Sequence, residues 1–174
     1  ELMTREGTVM LTGTILSNVG LAISSFAGEK GYVYLASEPL ADSLVWSAGN
    51  PYTFRLRAST FMQAAMLAEA AAKTDAKKFA TIAPNYAYGK DAVAAFKKNL
   101  LKLKPDVEFV AEQWPGVFKI DAGAEVQALE RAKPDAIYNV TFGPDLAKFV
   151  REGGDRGLFD GRQVYGLLSG EPEY

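Results

Sequence analysis

Short apolar runs alternate with longer stretches of helical periodicity along the whole chain. The run Val9-Met10-Leu11 predicts a strand over residues 8–12. The residues before it read as the last turns of a helix stopped by Gly7 in the position after the cap, so the chain is expected to begin inside a fold. A helix is predicted over residues 18–29, then a strand over 32–35 bracketed by Gly31 and Pro39, a loop over 36–50, and a strand-like alternation over 52–57. Thr60 with Gln63 predicts a capping box for an Ala-rich helix reaching residue 73, expected to pack tightly on a sheet. Three further units repeat the rhythm. Strands are predicted over 79–83, 107–113, 136–140 and 163–168, and helices over 90–103, 123–132 and 144–152. In the first of these helices Val93, Phe96 and Leu100 share one face. Helices alternating with short apolar strands imply an α/β fold, with mostly parallel sheets covered by helices on both faces.

That architecture says where a site should lie before any motif is considered. Parallel sheets bind ligands outside the carboxyl ends of their strands. The loops to inspect therefore begin at Gly13, Ala36, Pro84, Thr141 and Ser169. They hold hydroxyls, amides and aromatic rings, with few charges. Such a lining suits reversible capture of a small molecule better than proton transfer.

Composition narrows the chemistry further. The 174 residues include no Cys, which removes disulfides, thiolate nucleophiles and cysteine-based metal sites. They also include no His, so Ser-His-Asp and HExxH mechanisms are excluded. With 19 basic and 21 acidic residues the net charge is -2, which leaves no cationic surplus for a nucleic-acid face. The Ala-rich stretch over 64–72 is interrupted by Glu69 and is far shorter than the roughly 20 residues a spanning helix needs. The loop after the first strand, Gly13-Thr14-Ile15-Leu16-Ser17-Asn18, lacks the GxGxxG and GxxxxGK phosphate patterns, which counts against an enzyme of Rossmann type.

Four strings carry a family resemblance. Gly49-Asn50-Pro51-Tyr52-Thr53-Phe54-Arg55 resembles a "GNPYxFR" segment, and Ala83-Pro84-Asn85-Tyr86-Ala87-Tyr88-Gly89-Lys90 resembles a "D-x-x-YG" turn that opens a helix. Lys133-Pro134-Asp135-Ala136-Ile137-Tyr138 is similar to a "PDAVF" strand, and Gly143-Pro144-Asp145 to the loop that follows it. Both their order and their spacing resemble the solute-binding proteins of ABC transporters of the branched-chain amino-acid type. The resemblance implies a type I periplasmic-binding-protein fold, a two-lobe clamp on a hinge that closes on its ligand. Residues 1–57 would be a partial first lobe with its crossover strand, and residues 58–174 most of the second. It further implies a small organic solute as ligand, a membrane permease as partner, no cofactor, no metal and no catalysis, and a periplasmic or envelope-anchored location. A sensor or receptor built on the same clamp is the alternative. A first lobe of about 57 residues is near the size at which small domains become marginal, so self-association through residues 1–57 is also expected.

The resemblance carries over to individual positions. Ser17 and Asn18 match a helix start that presents a hydroxyl and backbone amides to a ligand carboxylate, although Ser17 could equally cap its helix. Ser37 and Glu38 match a second contact loop, where Glu38, Pro39 and Leu40 depart from the Ser, Ala and Thr of relatives. A carboxylate there would repel an anionic ligand, which favours a solvated Glu38. Thr60 stands near an Asp that pairs with the ammonium group in amino-acid binders, so its uncharged side chain favours a solute without an ammonium. Tyr88 matches a tyrosine that lies over the ligand, with Asn85 and Tyr86 in the same turn. Phe142, after Thr141, matches an aromatic contact, and Glu171 an acidic one. Trp46 and Trp114 are expected in the core or on the lobe surface.

Overall fold

The structure is a computed structural model, which describes residues 5–170; the first four residues of the predicted opening helix, and Glu171, lie outside the described residues. Two all-parallel sheets organise the chain. The first has the order β1 (Met10–Gly13), β2 (Val33–Ala36) and β3 (Thr53–Arg55), with Met10 opposite Val33 and Ala36 opposite Arg55. Helix α1 (Ser17–Lys30) crosses from β1 to β2 and presents only small residues inward, Ser17, Gly20, Ser24 and Ala27. Small side chains let the helix approach closely. A Cβ on Gly20 would lie 2.6 Å from Pro39 Cγ, so the proline of the following loop seats directly on the helix. Gly31 ends α1 in the left-handed conformation at φ 71°, its N–H donating to Ala27 O.

The Gly-Asn-Pro segment is a structural clasp. Asn50 Nδ2 donates to Ser24 O and Ser24 Oγ at 3.0 Å each, while its Oδ1 accepts from Tyr52 N at 3.0 Å. Ser24 Oγ and Thr53 Oγ1 are 2.8 Å apart in the buried layer beneath. These bonds fix β3 against α1. They also shorten the predicted strand, since Pro51 and Tyr52 turn the chain before Thr53.

The second sheet has the order β5 (Glu108–Gln113), β4 (Lys78–Ile82), β6 (Ala136–Asn139) and β7 (Gln163–Gly166). Its crossovers are α3 (Ala87–Leu103), α4 (Ala122–Ala132) and α5 (Gly143–Asp155), preceded by α2 (Thr60–Ala72). One face buries Phe79, Phe96 and Tyr138, with Phe96 stacked on Tyr138 at a ring separation of 4.0 Å. Burial drives the Tyr138 phenol far above its ordinary pKa. The other face buries Ile82 and Ile137 against Val126, Leu129 and Phe149.

Two local expectations need correction. The N-cap of α2 is Ser59, whose hydroxyl accepts from Met62 N at 3.2 Å; Thr60 is the first helical residue and plays no capping part. The Ala-rich helix packs chiefly on α3 rather than on a sheet, with Ala64, Ala68 and Ala71 fully buried in the same core as Ala92 and Phe96. Alanine on both helices permits this close approach. Of the two tryptophans, Trp46 is largely exposed and Trp114 packs against the second sheet's core. Within loop 36–50 a 3-10 turn, Asp42–Leu44, ties the two sheets together. Asp42 accepts from Thr60 Oγ1 at 2.7 Å and Phe61 N at 3.2 Å, and Asp91 Oδ2 accepts from Ser43 N and Ser43 Oγ. Among the described residues no helix is long and apolar enough to cross a membrane.

Candidate functional site

Loops that leave the carboxyl ends of strands in both sheets converge on one cleft. The first sheet contributes Ile15 and Ser17 from the loop after β1, Glu38 and Leu40 from the loop after β2, and Arg57 beyond β3. The second contributes Tyr86 and Tyr88 after β4, Phe142 after β6 and Leu168 after β7. The cleft therefore spans both sheets.

Each wall is held from behind. Gly13 and Thr14 both adopt left-handed backbone, at φ 108° and 66°, which turns the chain sharply after β1. The Thr14 hydroxyl meets Tyr34 Oη at 2.5 Å, so a tertiary contact holds the unfavourable threonine conformation. Ser17 is buried, and its Oγ accepts from Ala41 N at 3.2 Å, which docks the Glu38–Leu40 loop onto the start of α1. Its hydroxyl thus makes no intrahelical cap. Tyr88 is 2% exposed and stands 5.8 Å from the Tyr86 ring and 5.8 Å, edge on, from Phe142. Phe142 is backed in turn by Phe118 at 5.6 Å. Phe118 is positioned by buried Asp145, whose Oδ2 accepts from Phe118 N at 2.7 Å. Asn139 Oδ1 accepts from both the amide and the hydroxyl of Thr141, fixing the turn that aims Phe142. The result is an aromatic wall braced at every ring. Burial raises the pKa of the Tyr86 phenol, so it stays protonated and able to donate a hydrogen bond.

Among the described lining residues the charges are Glu38 and Arg57, and Arg57 Nη1 donates to Glu38 Oε2 in an ion pair. Three helices, α1, α3 and α5, begin at the cleft. Their N-cap positions hold Leu16, Tyr86 and Phe142, and none of these side chains makes a cap hydrogen bond. By contrast α2 and α4, which begin elsewhere, are capped by Ser59 and Asp121. The positive ends of three helix dipoles face the cleft, an arrangement that favours an anionic or hydrogen-bond-accepting group there.

The cleft thus brings together Ser17, Glu38, Tyr88 and Phe142 of the positions singled out from sequence. Asn18 is exposed on α1, outside the lining, and Ser37 is half-buried beside it, with its N–H directed to Gly13 O. Thr60 is fully buried and its hydroxyl donates to Asp42, so it contributes nothing to the lining. Arg57 escaped the sequence reading altogether. Its partner is set by the fold: Ala36 is opposite Arg55, and Glu38 and Arg57 each lie two residues beyond, in the loops that leave β2 and β3, where a carboxylate in an apolar loop calls for a cation.

The family model of periplasmic binding proteins matches residues 1–174. The chain belongs to the periplasmic binding protein family. Comparison with curated proteins gave no match. Solved structures share the fold. A solute-binding protein of an ABC transporter from Rhodopseudomonas palustris in complex with 4-hydroxybenzoate is 23% identical, with 100% of this chain and 47% of that chain covered and a TM-score of 0.90. Another, from Rhodopseudomonas palustris BisB5 in complex with 3,4-dihydroxybenzoic acid, is 24% identical over 95% of this chain and 45% of that one, at a TM-score of 0.85. The leucine-, isoleucine-, valine-, threonine- and alanine-binding protein from Brucella ovis is 18% identical, covers 94% and 44%, and scores 0.79. The family and these neighbours are binding proteins rather than enzymes. The chain spans under half the length of each of these structures.

Proposed function

We propose that this chain forms part of the substrate-binding component of an ABC uptake transporter, which captures a small organic solute reversibly between two lobes and performs no chemistry on it. Residues 1–57 and 58–174 are the portions of the two lobes, and the crossover near β3 joins them. The observation that carries the reading is the cleft itself. It is walled by three mutually braced aromatic rings and by Ile15, Leu40 and Leu168, and it carries a single charge pair among its described residues. Such a lining offers a flat apolar body a large contact area and gives its polar end a few directed donors. The aromatic acids bound by the Rhodopseudomonas neighbours have this shape. The partners that follow are a membrane permease and the solute, and the location is the periplasm or the outer face of the cell envelope. Ser17, Tyr88 and Phe142 are the proposed contacts, with Asn18, Ser37 and Thr60 outside the described lining.

Thermal unfolding in the presence of a panel of aromatic acids, amides and free amino acids tests the reading. A bound solute at a hundred times its Kd adds about 2.7 kcal/mol of stability. For a chain of this size that raises Tm by roughly 5–11 °C. Absence of a saturable shift with every member of the panel overturns the proposal.

A further inference from the structure

We propose that Phe118 is a positioning residue of the cleft, which holds the Phe142 ring in the wall and thereby limits the breadth of the solute body. This rests on the solute-capture reading above and names what sets the size limit of that site. Phe118 stands outside the cleft lining, in the loop between β5 and α4, and is 49% exposed.

The backbone sets an unusual demand at this position. Lys119 N donates to Gly116 O at 3.0 Å, which closes a turn over residues 116–119. Phe118 is the third residue of that turn and adopts φ 58°, while Val117 before it keeps a negative φ. This is the type II pattern, whose third position favours glycine or asparagine, and a bulky residue there persists only where its surroundings hold it. They do so here. Phe118 N donates to Asp145 Oδ2 at 2.7 Å and Ile120 N to Asp145 Oδ1 at 3.3 Å, and Asp145 itself is 3% exposed. Both oxygens of a buried carboxylate in the first turn of α5 thus bind this loop.

What the ring gains at that position is contact with Phe142. The two rings meet edge on, at 5.6 Å and 78°, and Phe142 meets Tyr88 at 5.8 Å and 80°. The Phe118 ring also reaches the first residue of α5, since a Cβ on Gly143 would lie 3.6 Å from Phe118 Cε1. Phe142 lines the cleft and Phe118 does not, so Phe118 acts on a solute only through Phe142. Its ring fills space into which Phe142 would otherwise swing. A small flat body therefore meets a fixed wall, and a broader one meets a wall that cannot retreat.

Calorimetric titration of the full chain with benzoate and 2-naphthoate, which carry the same acid group on a one-ring and a two-ring body, tests this in the wild type, F118G, F118A and F118L. Phe118→Gly removes the ring and suits the turn, so it is expected to unfold at a higher Tm than F118A. Both variants are expected to weaken benzoate by about two- to tenfold, the worth of an edge-to-face ring pair, and to bind 2-naphthoate as tightly as the wild type or more so. F118L, which keeps an apolar body against Phe142, is expected to retain most of the wild-type preference. A ring that merely stabilised its loop would instead lower both affinities by one factor, in the order of the Tm values. Without solute, hydrogen exchange across residues 139–146 is expected to quicken in F118G and to stay unchanged across α1. Equal losses for the two probes, benzoate binding unaltered in F118G, or unaltered exchange at 139–146 overturns the role of Phe118 while leaving solute capture standing. A wild type that binds neither probe removes the size limit, and a flat unfolding panel besides removes solute capture itself.

Discussion

Gly89→Ala is expected to be among the most damaging single-methyl additions to this protein. Gly89 is the third residue of α3, directly after Tyr88, and a Cβ built on it would lie 2.0 Å from the Pro84 carbonyl oxygen. Ordinary contact begins at 3.4 Å, so the helix start and the preceding turn must part by more than an ångström. The clash is with backbone, which cannot rotate aside. Nor is the turn free to yield: Asn85 N donates to Pro115 O at 2.8 Å, Tyr86 N to Pro84 O at 2.8 Å and Lys90 N to Tyr86 O at 3.0 Å. Overpacking in a fixed setting costs about 1–3 kcal/mol, and each turn hydrogen bond lost adds about 1 kcal/mol. A total of about 3 kcal/mol corresponds to a Tm lowered by roughly 6–12 °C at this chain length. The same displacement moves Tyr86 and Tyr88 out of register with Phe142, so solute binding weakens along with stability. Urea unfolding of the wild type and the variant gives the first quantity and calorimetric titration the second. A loss below about 0.5 kcal/mol, the scale of an ordinary surface change, would show that the turn yields and that the close approach is not what demands glycine.

Two neighbouring glycines in α5 should respond with opposite sign. Gly153→Ala places its Cβ 2.5 Å from the Phe159 ring, which stacks edge-on against Phe149, and should cost about 1–3 kcal/mol in urea unfolding. Gly154→Ala meets nothing within 4 Å and should gain about 0.5 kcal/mol by restricting the unfolded chain; a loss there would refute the helical argument. Thr81 is fully buried in β4 and its hydroxyl has no hydrogen-bond partner among the described residues, so Thr81→Val should stabilise by about 1 kcal/mol, and a destabilised variant would reveal a bond at that oxygen. The Asp135 carboxyl is held below the usual range by N–H donation from Lys78 and then Lys77. A depressed folded value means its stabilisation is present above the ordinary aspartate pKa of about 3.9 and is lost as pH falls through the lower folded value, so Asp135→Asn should flatten the acid limb of the stability profile. Identical acid limbs in the two proteins would remove Asp135 from that role.

What the sequence made legible follows from which physical signals are local. The α/β alternation emerged because each strand is a short apolar run and each helix a longer stretch with its own stop, as Gly31 shows at the end of α1. The site's position followed from topology, since loops after parallel strands share one edge. Residue roles inside those loops were another matter. Ser59 and Thr60 compete for the same cap, and only the buried Asp42, 18 residues earlier, settles that Thr60 turns its hydroxyl away from the helix. Likewise Ser17 reads as a cap until Ala41 N, 24 residues later, takes its oxygen. These partners are set by tertiary contact, which leaves no periodic trace in the chain.

The Leu40–Trp46 segment makes the cleft answerable to both sheets at once. Its chain runs out of the first sheet, yet Leu40 O receives Thr60 N at 2.9 Å, Asp42 receives the Thr60 hydroxyl and the Phe61 amide, and Ser43 is bonded through two donors to Asp91 on α3. Four of these five bonds end on a carboxylate, and hydrogen bonds to charged groups contribute about 1.5–3 kcal/mol each, against about 1 for a neutral pair. A rigid rotation of one sheet against the other would break several of them together. These ties therefore resist separation of the two sheets along the Leu40–Trp46 side of the cleft. The Glu38–Arg57 pair lines the same cleft, and both of its members belong to the first sheet's loops, so the ion pair holds those two loops to each other.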